Sequence, residues 1–144
     1  MKWLPALLVA GQLAGIGVIC FSAPPYCTWV PLLIVQALSL VLLIWTWLHL
    51  RPGKFHILPV PMKSGTLVVS GPFRLIRHPM YLCLFLYLIP LVIEHFSYWR
   101  IIVLLVWMGV MIFKLFFEEK KMQERFPEYE AYMKRSKRML PFIF

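Results

Sequence analysis

The chain has 144 residues, of which 61% are hydrophobic and 15% are charged, and its formal net charge at pH 7 is +9. A soluble domain of this length cannot bury so much apolar surface, so the composition excludes an ordinary soluble protein and favours an integral membrane protein. The positive charge indicates membrane topology and attraction to anionic head groups, and no feature of the sequence indicates a nucleic-acid partner.

Four apolar segments predict membrane helices. Trp3–Phe21 and Trp29–His49 contain no Lys, Arg, Asp or Glu, and each has the ~20 residues that cross ~30 Å of hydrocarbon. Met80–Ile93 is equally apolar but shorter, and Ile101–Phe117 carries only Lys114. The predicted fold class is therefore all-α, a polytopic membrane helical bundle with four transmembrane helices. The first segment is expected to be a retained helix rather than a cleaved signal peptide.

The basic residues predict how these helices are oriented. Of the 15 Lys and Arg residues, only Arg100 falls on the side of the membrane opposite to the others. The positive-inside rule therefore places both termini and the Arg51–His78 loop in the cytoplasm. Prolines and glycines in this loop exclude a continuous helix. We expect one domain over residues 1–144, made of an N-terminal helix pair (1–50), this loop (51–78) and a C-terminal half that carries the chemistry (79–144).

The cysteines and the outer side of the bundle carry little signal. Cys20, Cys27 and Cys83 have neither CxxC spacing nor a histidine cluster beside them, so the sequence indicates no metal site. Cys20 and Cys27 both lie near the predicted outer face, where the sequence allows a disulfide between them. Unpaired thiols are nevertheless expected. Glu94 and His95 are expected to form a solvated turn at the same side.

The stretch GPFRLIRHPMY concentrates polar groups at the start of the third apolar segment. Pro79 is expected to be the first helical residue, because the missing N–H of proline costs nothing at that position. His78 then lies at the helix cap, and together with Arg74 and Arg77 it would form an anion site at the helix N-terminus. Taken alone, basic residues here are also consistent with simple anchoring at the cytoplasmic face.

A second polar region closes the fourth apolar segment. Five of the six acidic residues lie in the C-terminal part of the chain, and Glu118 and Glu119 are adjacent. The spacing of Leu115, Met122 and Phe126 predicts a helix that continues to about Phe126. In such a helix Glu118 shares the inward face and Glu119 points about 100° away. A solvated face paired with Lys114 and Lys121 is the alternative interpretation.

After Pro127 the sequence predicts a short cytoplasmic amphipathic helix. Tyr129 and Tyr132 lie within it and are expected to act as membrane-interface anchors. Four basic residues follow at the level of the lipid head groups, namely Lys134, Arg135, Lys137 and Arg138.

Together the two polar regions resemble the isoprenylcysteine carboxyl methyltransferase and phospholipid methyltransferase superfamily of integral membrane enzymes. The resemblance rests on the RHPxY motif at Arg77–Tyr81, the Glu118-Glu119 pair, and the pattern F-x-x-Y-x-x-Y-x(5)-R-x-x-P from Phe126 to Pro141. It covers roughly the last 75 residues, and either piece alone would be a weak signal. Cys83 stands where the family usually has glycine.

The resemblance implies an S-adenosylmethionine-dependent methyltransferase with its active site at the cytoplasmic membrane face. By position it implies cofactor-binding roles for Arg77, His78, Pro79, Tyr81, Glu118, Glu119 and Arg138. The carboxylate of the cofactor suits the basic helix start, and a glutamate suits its ammonium group or ribose hydroxyls. Methyl transfer needs alignment and exclusion of water. An amine acceptor must also lose a proton, to Glu118, Tyr81 or His78, and Glu118 and Tyr81 are the expected catalytic residues.

The acceptor is expected to be a lipid or lipophilic small molecule that arrives from the bilayer. A prenylcysteine carboxylate, a phospholipid amine, an isoprenoid and a hydrophobic thiol or phenol all fit, and the sequence does not choose among them. The alternative function is an NADPH-dependent reductase resembling the steroid 5α-reductases and sterol reductases. Cys83-Leu84, in place of the glycine-glutamate pair of that family, disfavours it. A non-catalytic membrane module is a third interpretation, and a homo-oligomer is one way to supply a further helical wall.

Overall fold

A computed structural model of the chain describes residues 3–50 and 67–140. Within these residues the chain forms helices and no β-strand, so the predicted all-α class is confirmed. Residues 51–66 of the predicted cytoplasmic loop lie outside the described residues. The five α-helices are α1 (Leu4–Phe21), α2 (Val30–His49), α3 (Pro79–Glu94), α4 (Tyr98–Arg125) and α5 (Tyr129–Arg135), and a 3-10 turn (Gly71–Arg74) precedes α3.

Three of the helices, α1, α2 and α4, are long and apolar enough to cross a membrane. Large apolar side chains remain exposed along their outer surfaces, as expected for helices that face lipid. Helix α3 is equally apolar but has 16 residues, which corresponds to about 24 Å and is shorter than the hydrocarbon layer. The prediction of an integral membrane protein is therefore confirmed, with three helices that can span the bilayer. A fourth span, by α3, stays a prediction.

The boundaries near the predicted polar regions follow from proline. Helix α3 begins at Pro79 with His78 as its N-cap residue, as predicted from the sequence. Helix α4 ends at Arg125, within one residue of the predicted end. Phe126 has extended backbone angles, φ −118° and ψ 108°, because the ring of Pro127 disfavours a helical conformation in the preceding residue. The short helix predicted after Pro127 is present as α5.

Helices α1, α3 and α4 enclose a continuous apolar core. Trp107 lies at its centre, 1% exposed, and its Nε1–H donates to the carbonyl of Gln12 over 3.1 Å. Gly15 of α1 faces this ring so closely that a Cβ atom added there would lie 2.3 Å from Trp107 Cδ1. The close approach of α1 and α4 therefore depends on the missing side chain of Gly15.

One end of the bundle is tied together by the carboxylate of Glu94. It accepts hydrogen bonds from the backbone N–H and the hydroxyl of Thr28, both over 2.6 Å, and from the backbone N–H of Trp29 over 3.2 Å. Instead of only occupying the expected solvated turn, Glu94 fixes the end of α3 beside the α1–α2 connection. The three cysteines are unpaired, as expected.

The opposite end of α3 is held against the end of α2. Gly71, in the 3-10 turn, has a positive φ of 59°, a conformation in which only glycine is unstrained. A Cβ atom at Gly71 would lie 2.4 Å from His49 Cδ2. The chain before α3 therefore packs closely on the last turn of α2, and α3 runs from this end of the bundle to the end that holds Glu94.

Candidate functional site

The segment that leads into α3 pairs with the segment that follows α5. The backbone N–H of Arg77 donates to the carbonyl of Lys137 over 2.7 Å, and that of His78 donates to the carbonyl of Arg138 over 2.9 Å. In return the N–H of Lys137 donates to the carbonyl of Leu75 over 3.1 Å. This short parallel pairing places Arg138 beside Arg77, although the residues that these bonds join are 60 to 62 positions apart in the sequence.

Helix α5 supports this pairing through two buried tyrosines. Tyr132 donates its hydroxyl to the carbonyl of Phe73 over 2.6 Å, and Tyr129 is 2% exposed. Burial raises the pKa of Tyr132 to about 12, and burial together with the charge of Glu119 raises the pKa of Tyr129. The expectation that these tyrosines are membrane-interface anchors is wrong, because both side chains pack inside the protein.

Glu119 is the buried centre of the polar cluster. Its side chain is 5% exposed, and its two carboxylate oxygens accept from Nε of Arg77 over 2.8 Å and from Nε of Arg138 over 3.0 Å. Nε2 of His78 lies 3.5 Å from the same carboxylate. Arg77 also donates from Nη1 to the carbonyls of Met133 and Ser136. Glu119 therefore joins α4 to the start of α3 and to the C-terminal segment.

Glu118 has a different environment although it is the next residue. Its side chain is 21% exposed, His78 Nδ1 lies 3.8 Å from one carboxylate oxygen, and Lys114 Nζ lies 3.8 Å from the other. Both distances exceed hydrogen-bond range, so the carboxylate has capacity for another partner. The predicted order of burial is wrong, since Glu119 and not Glu118 lies deepest. The alternative interpretation paired these glutamates with Lys114 and Lys121, but Lys121 pairs with Glu124 over 2.6 Å.

Two buried polar atoms at this cluster have no hydrogen-bond partner among the described residues. They are Nε2 of His78 and the hydroxyl oxygen of Tyr81. The two rings stack, with centroids 5.3 Å apart and an interplanar angle of 21°. Buried polar atoms in native proteins are nearly always hydrogen-bonded. A polar ligand between α3 and α4 would satisfy both atoms, and the nearby Glu118 carboxylate would supply an acceptor for its cationic or hydroxyl groups.

The structure brings the predicted site residues together, and their functional roles stay predictions. His78 and Tyr81 carry the two unpartnered atoms, and Glu118 lies 3.8 Å from Nδ1 of His78. Glu119 engages Arg77 and Arg138 and lies 3.5 Å from Nε2 of His78. The arginines thus meet a carboxylate of the protein itself at the expected anion site. Pro79 is buried and sets the start of α3, and Arg74 is exposed.

Two further polar residues lie at the cluster. Sequence reasoning missed Gln12, and it named Lys114 only as a partner of the glutamates on a solvated helix face. The ammonium of Lys114 donates to Gln12 Oε1 over 2.5 Å and lies 5.2 Å from the centroid of the Tyr81 ring. The available signal was a lone lysine within an otherwise apolar helix.

No group of three or more His, Cys, Asp or Glu residues among 3–50 and 67–140 could hold a metal ion.

Comparison with known proteins identifies the family of this arrangement. The family model described as phospholipid methyltransferase matches residues 28–129, which include α2, α3, α4 and the meeting point of His78 with Glu118. Comparisons with curated proteins and with solved structures give no match. Nothing in these results supports the reductase alternative. Because the matched region exceeds half of the chain, the protein belongs to the phospholipid methyltransferase family, within the membrane methyltransferase superfamily indicated by its sequence motifs.

Proposed function

We propose that the protein transfers a methyl group from S-adenosylmethionine to a lipophilic acceptor in the membrane. The observation that carries this proposal is the convergence of His78, Tyr81 and Glu118 between α3 and α4, with two buried polar atoms that find no hydrogen-bond partner in residues 3–50 and 67–140. The family match supports a methyltransferase. The polar cluster supports a site for a ligand that carries charged and hydroxyl groups.

The residues present fit S-adenosylmethionine. When bound, this cofactor supplies an electrophilic methyl group on a sulfonium sulfur. Glu118 is the proposed acceptor for its ammonium or ribose hydroxyl groups, because that carboxylate has no short ion pair in the protein. His78 Nε2 and the Tyr81 hydroxyl are the proposed partners of its remaining polar groups.

Glu119, Arg77 and Arg138 are better explained as positioning residues than as direct ligands. The carboxylate of Glu119 already accepts from both guanidinium groups, and Arg77 uses Nη1 for two backbone carbonyls. These bonds hold the segment before α3 against α4 and thereby fix the imidazole of His78. Their predicted contact with the cofactor gives way to this indirect role in our proposal.

Proton handling depends on the acceptor. An amine acceptor must lose a proton, and the carboxylate of Glu118 is the proposed base because it is the partly exposed acid of the pair. A carboxylate acceptor needs no base. Tyr81 contributes its hydroxyl to alignment, since its ring stacks on the ring of His78.

The membrane placement explains how two dissimilar substrates meet. We propose that α3 crosses the bilayer as the fourth, short span and that both termini and the polar cluster face the cytoplasm. The placement follows the distribution of basic residues. The water-soluble cofactor then reaches the cluster from the cytoplasm, and a lipophilic acceptor reaches it laterally between apolar helix surfaces. A phospholipid amine is the acceptor that agrees with the family match.

Binding of S-adenosylhomocysteine, the demethylated form of the cofactor, tests this proposal. We expect the purified protein to bind it measurably by isothermal titration calorimetry. His78→Ala and Glu118→Ala should each weaken binding by about tenfold or more, the loss expected for a charge-assisted or buried hydrogen bond.

Glu124→Ala is the matched control for Glu118→Ala. Glu124 lies on the same helix, and its side chain is 49% exposed and paired with Lys121. This variant should bind S-adenosylhomocysteine like the unmodified protein. A folded, unmodified protein that binds none at high micromolar ligand would contradict the proposed cofactor.

A further inference from the structure

Lys114 is a buried cation within a membrane helix. Its side chain is 5% exposed, and its neighbours on the inward face of α4, Met111 and Leu115, are each 1% exposed. Charged side chains at membrane depth are costly and mark functional sites by default. The position of Lys114 therefore calls for a reason beyond topology.

The protein only partly satisfies this ammonium group. Gln12 Oε1 accepts one hydrogen bond over 2.5 Å, whereas Glu118 at 3.8 Å is beyond hydrogen-bond range. The face of the Tyr81 ring lies 5.2 Å away. An ammonium group has three N–H donors, so two remain without a close acceptor among the described residues. The hydroxyl of Tyr81, which also has no hydrogen-bond partner in the described part of the chain, adds a third donor to the same cluster.

The charges of the described residues at the cluster also favour an additional anion beside Lys114. Lys114, Arg77 and Arg138 contribute three cations, and Glu118 and Glu119 contribute two carboxylates. The two guanidinium groups are committed to Glu119. Among the described residues of the cluster, Lys114 is thus a cation with N–H donors available, beside Glu118, which lies beyond hydrogen-bond range.

We infer that Lys114 binds an anionic oxygen of the acceptor head group and thereby selects acidic or phosphate-bearing lipids. This inference rests on the proposed function. Gln12 of α1 holds the ammonium in place, and the Tyr81 hydroxyl is a second donor to the same oxygen atoms. Lys114 is then a specificity-determining residue, which orients the acceptor relative to Glu118 without taking part in proton transfer.

The depth of Lys114 favours the acceptor over the cofactor as the source of this anion. Lys114 lies one helical turn before Glu118, about 6 Å further from the end of α4 that leaves the membrane. Its anchor, Gln12, is on a membrane-spanning helix rather than on the polar segments around His78. We assign the anion to the acceptor because the acceptor is proposed to enter laterally from the lipid, whereas the cofactor approaches from the cytoplasmic end of the cluster.

Lipid binding measured by native mass spectrometry tests the inference without requiring turnover. The probes are dioleoyl phosphatidic acid and neutral dioleoylglycerol, which share two oleoyl chains and differ in the phosphate, and oleic acid, a single chain with a carboxylate. The unmodified protein should prefer phosphatidic acid to dioleoylglycerol by about tenfold or more, and Lys114→Met should reduce this preference to about threefold or less. Oleic acid separates a carboxylate from a phosphate preference. Lys121→Met, on the same helix but at the surface, should leave the preference unchanged.

S-adenosylhomocysteine binding by the same variants separates the possible outcomes. Lys114→Met should keep that binding within about threefold of the unmodified protein. If it loses cofactor binding and keeps the lipid preference, the ammonium serves the cofactor carboxylate and the inference is wrong. No lipid preference in the unmodified protein would also overturn it. Failure of the unmodified protein to bind S-adenosylhomocysteine contradicts the proposed function instead. If Lys114→Met does not fold, Lys114→Gln provides the same comparison.

Discussion

Glu118 and Glu119 show how two adjacent, chemically identical residues divide the work at one site. Glu119 is buried and accepts from two arginines, while Glu118 is partly exposed and has no ion pair shorter than 3.8 Å among the described residues. Removal of a buried carboxylate leaves its guanidinium partner uncompensated. Mutation of the two glutamates should therefore affect different properties: Glu119 the stability of the protein, and Glu118 the binding of ligand.

Glu119→Ala should destabilise the protein far more than Glu118→Ala. Arg77, whose side chain is 6% exposed, would keep a buried charge without its carboxylate, which costs about 3–5 kcal/mol. Thermal unfolding in detergent measures the difference. Equal midpoint temperatures for the two variants would show that the contact between Glu119 and Arg77 does not hold the segment before α3.

Sequence reasoning found this pair of glutamates but assigned the inward face to the wrong one. The prediction used Leu115 and Met122 as the inward stripe, and Leu115 is indeed buried. Both glutamates follow Leu115 by about one turn, so periodicity alone cannot rank them. The ranking depends on where Arg77 and Arg138 lie, and those positions come from other parts of the chain.

At the scale of the helices, α1 and α4 are matched by small residues at specific positions. Gly15 faces Trp107, where a Cβ atom would lie 2.3 Å from the ring. A Cβ atom at Gly11 would meet Val110 at an ordinary 3.4 Å, and one at Gly109 would have no neighbouring atom within 4 Å. These glycines predict different effects of the same substitution, because alanine favours a helix at each but fits at only some.

Gly15→Ala should lower the midpoint temperature of unfolding, since the indole of Trp107 cannot keep its place and its hydrogen bond to Gln12. Overpacking of this kind costs about 1–3 kcal/mol. Gly109→Ala on α4 is the matched control and should be neutral or slightly stabilising. Measurements of both in the same detergent test the packing of α1 on α4, and a stabilising Gly15→Ala would disprove it.

The helices themselves were largely predictable, because their signals are local. The apolar runs predicted α1, α2 and α4, the three helices long and apolar enough to cross a membrane. Pro79 and Pro127 indicated the start of α3 and the end of α4. The pairing between Arg77 and Lys137 was not predictable. It joins two irregular segments far apart in sequence, and neither has a periodic pattern that would indicate its partner.

For the molecule as a whole, the contacts of α3 place the polar cluster and Glu94 at opposite ends of the bundle. The turn before α3 packs on the end of α2, and Glu94 binds the connection between α1 and α2. If α3 crosses the bilayer as proposed, Ser70 and Tyr98 lie on opposite sides of the membrane. The distribution of basic residues then makes the Ser70 side cytoplasmic.

Labelling of single cysteines with a membrane-impermeant maleimide tests this orientation. Ser70 is exposed and Tyr98 is 80% exposed, so Ser70→Cys and Tyr98→Cys are suitable positions. In intact cells Tyr98→Cys should react, and Ser70→Cys should react only after permeabilisation. Glu128→Cys, at the exposed start of α5, should behave like Ser70→Cys.

Cys27, the native cysteine in the connection between α1 and α2, should add little background to this experiment. Cys27 is 1% exposed, and burial, with the carboxylate of Glu94, raises its pKa to about 11. Since the thiolate is the reactive form, Cys27 should label slowly near pH 7, and the unmodified protein measures what remains. Reaction of Ser70→Cys and Tyr98→Cys from the same side would mean that α3 does not cross the bilayer. The proposed lateral entry of the acceptor, which depends on α3 being a fourth membrane span, would then also be wrong.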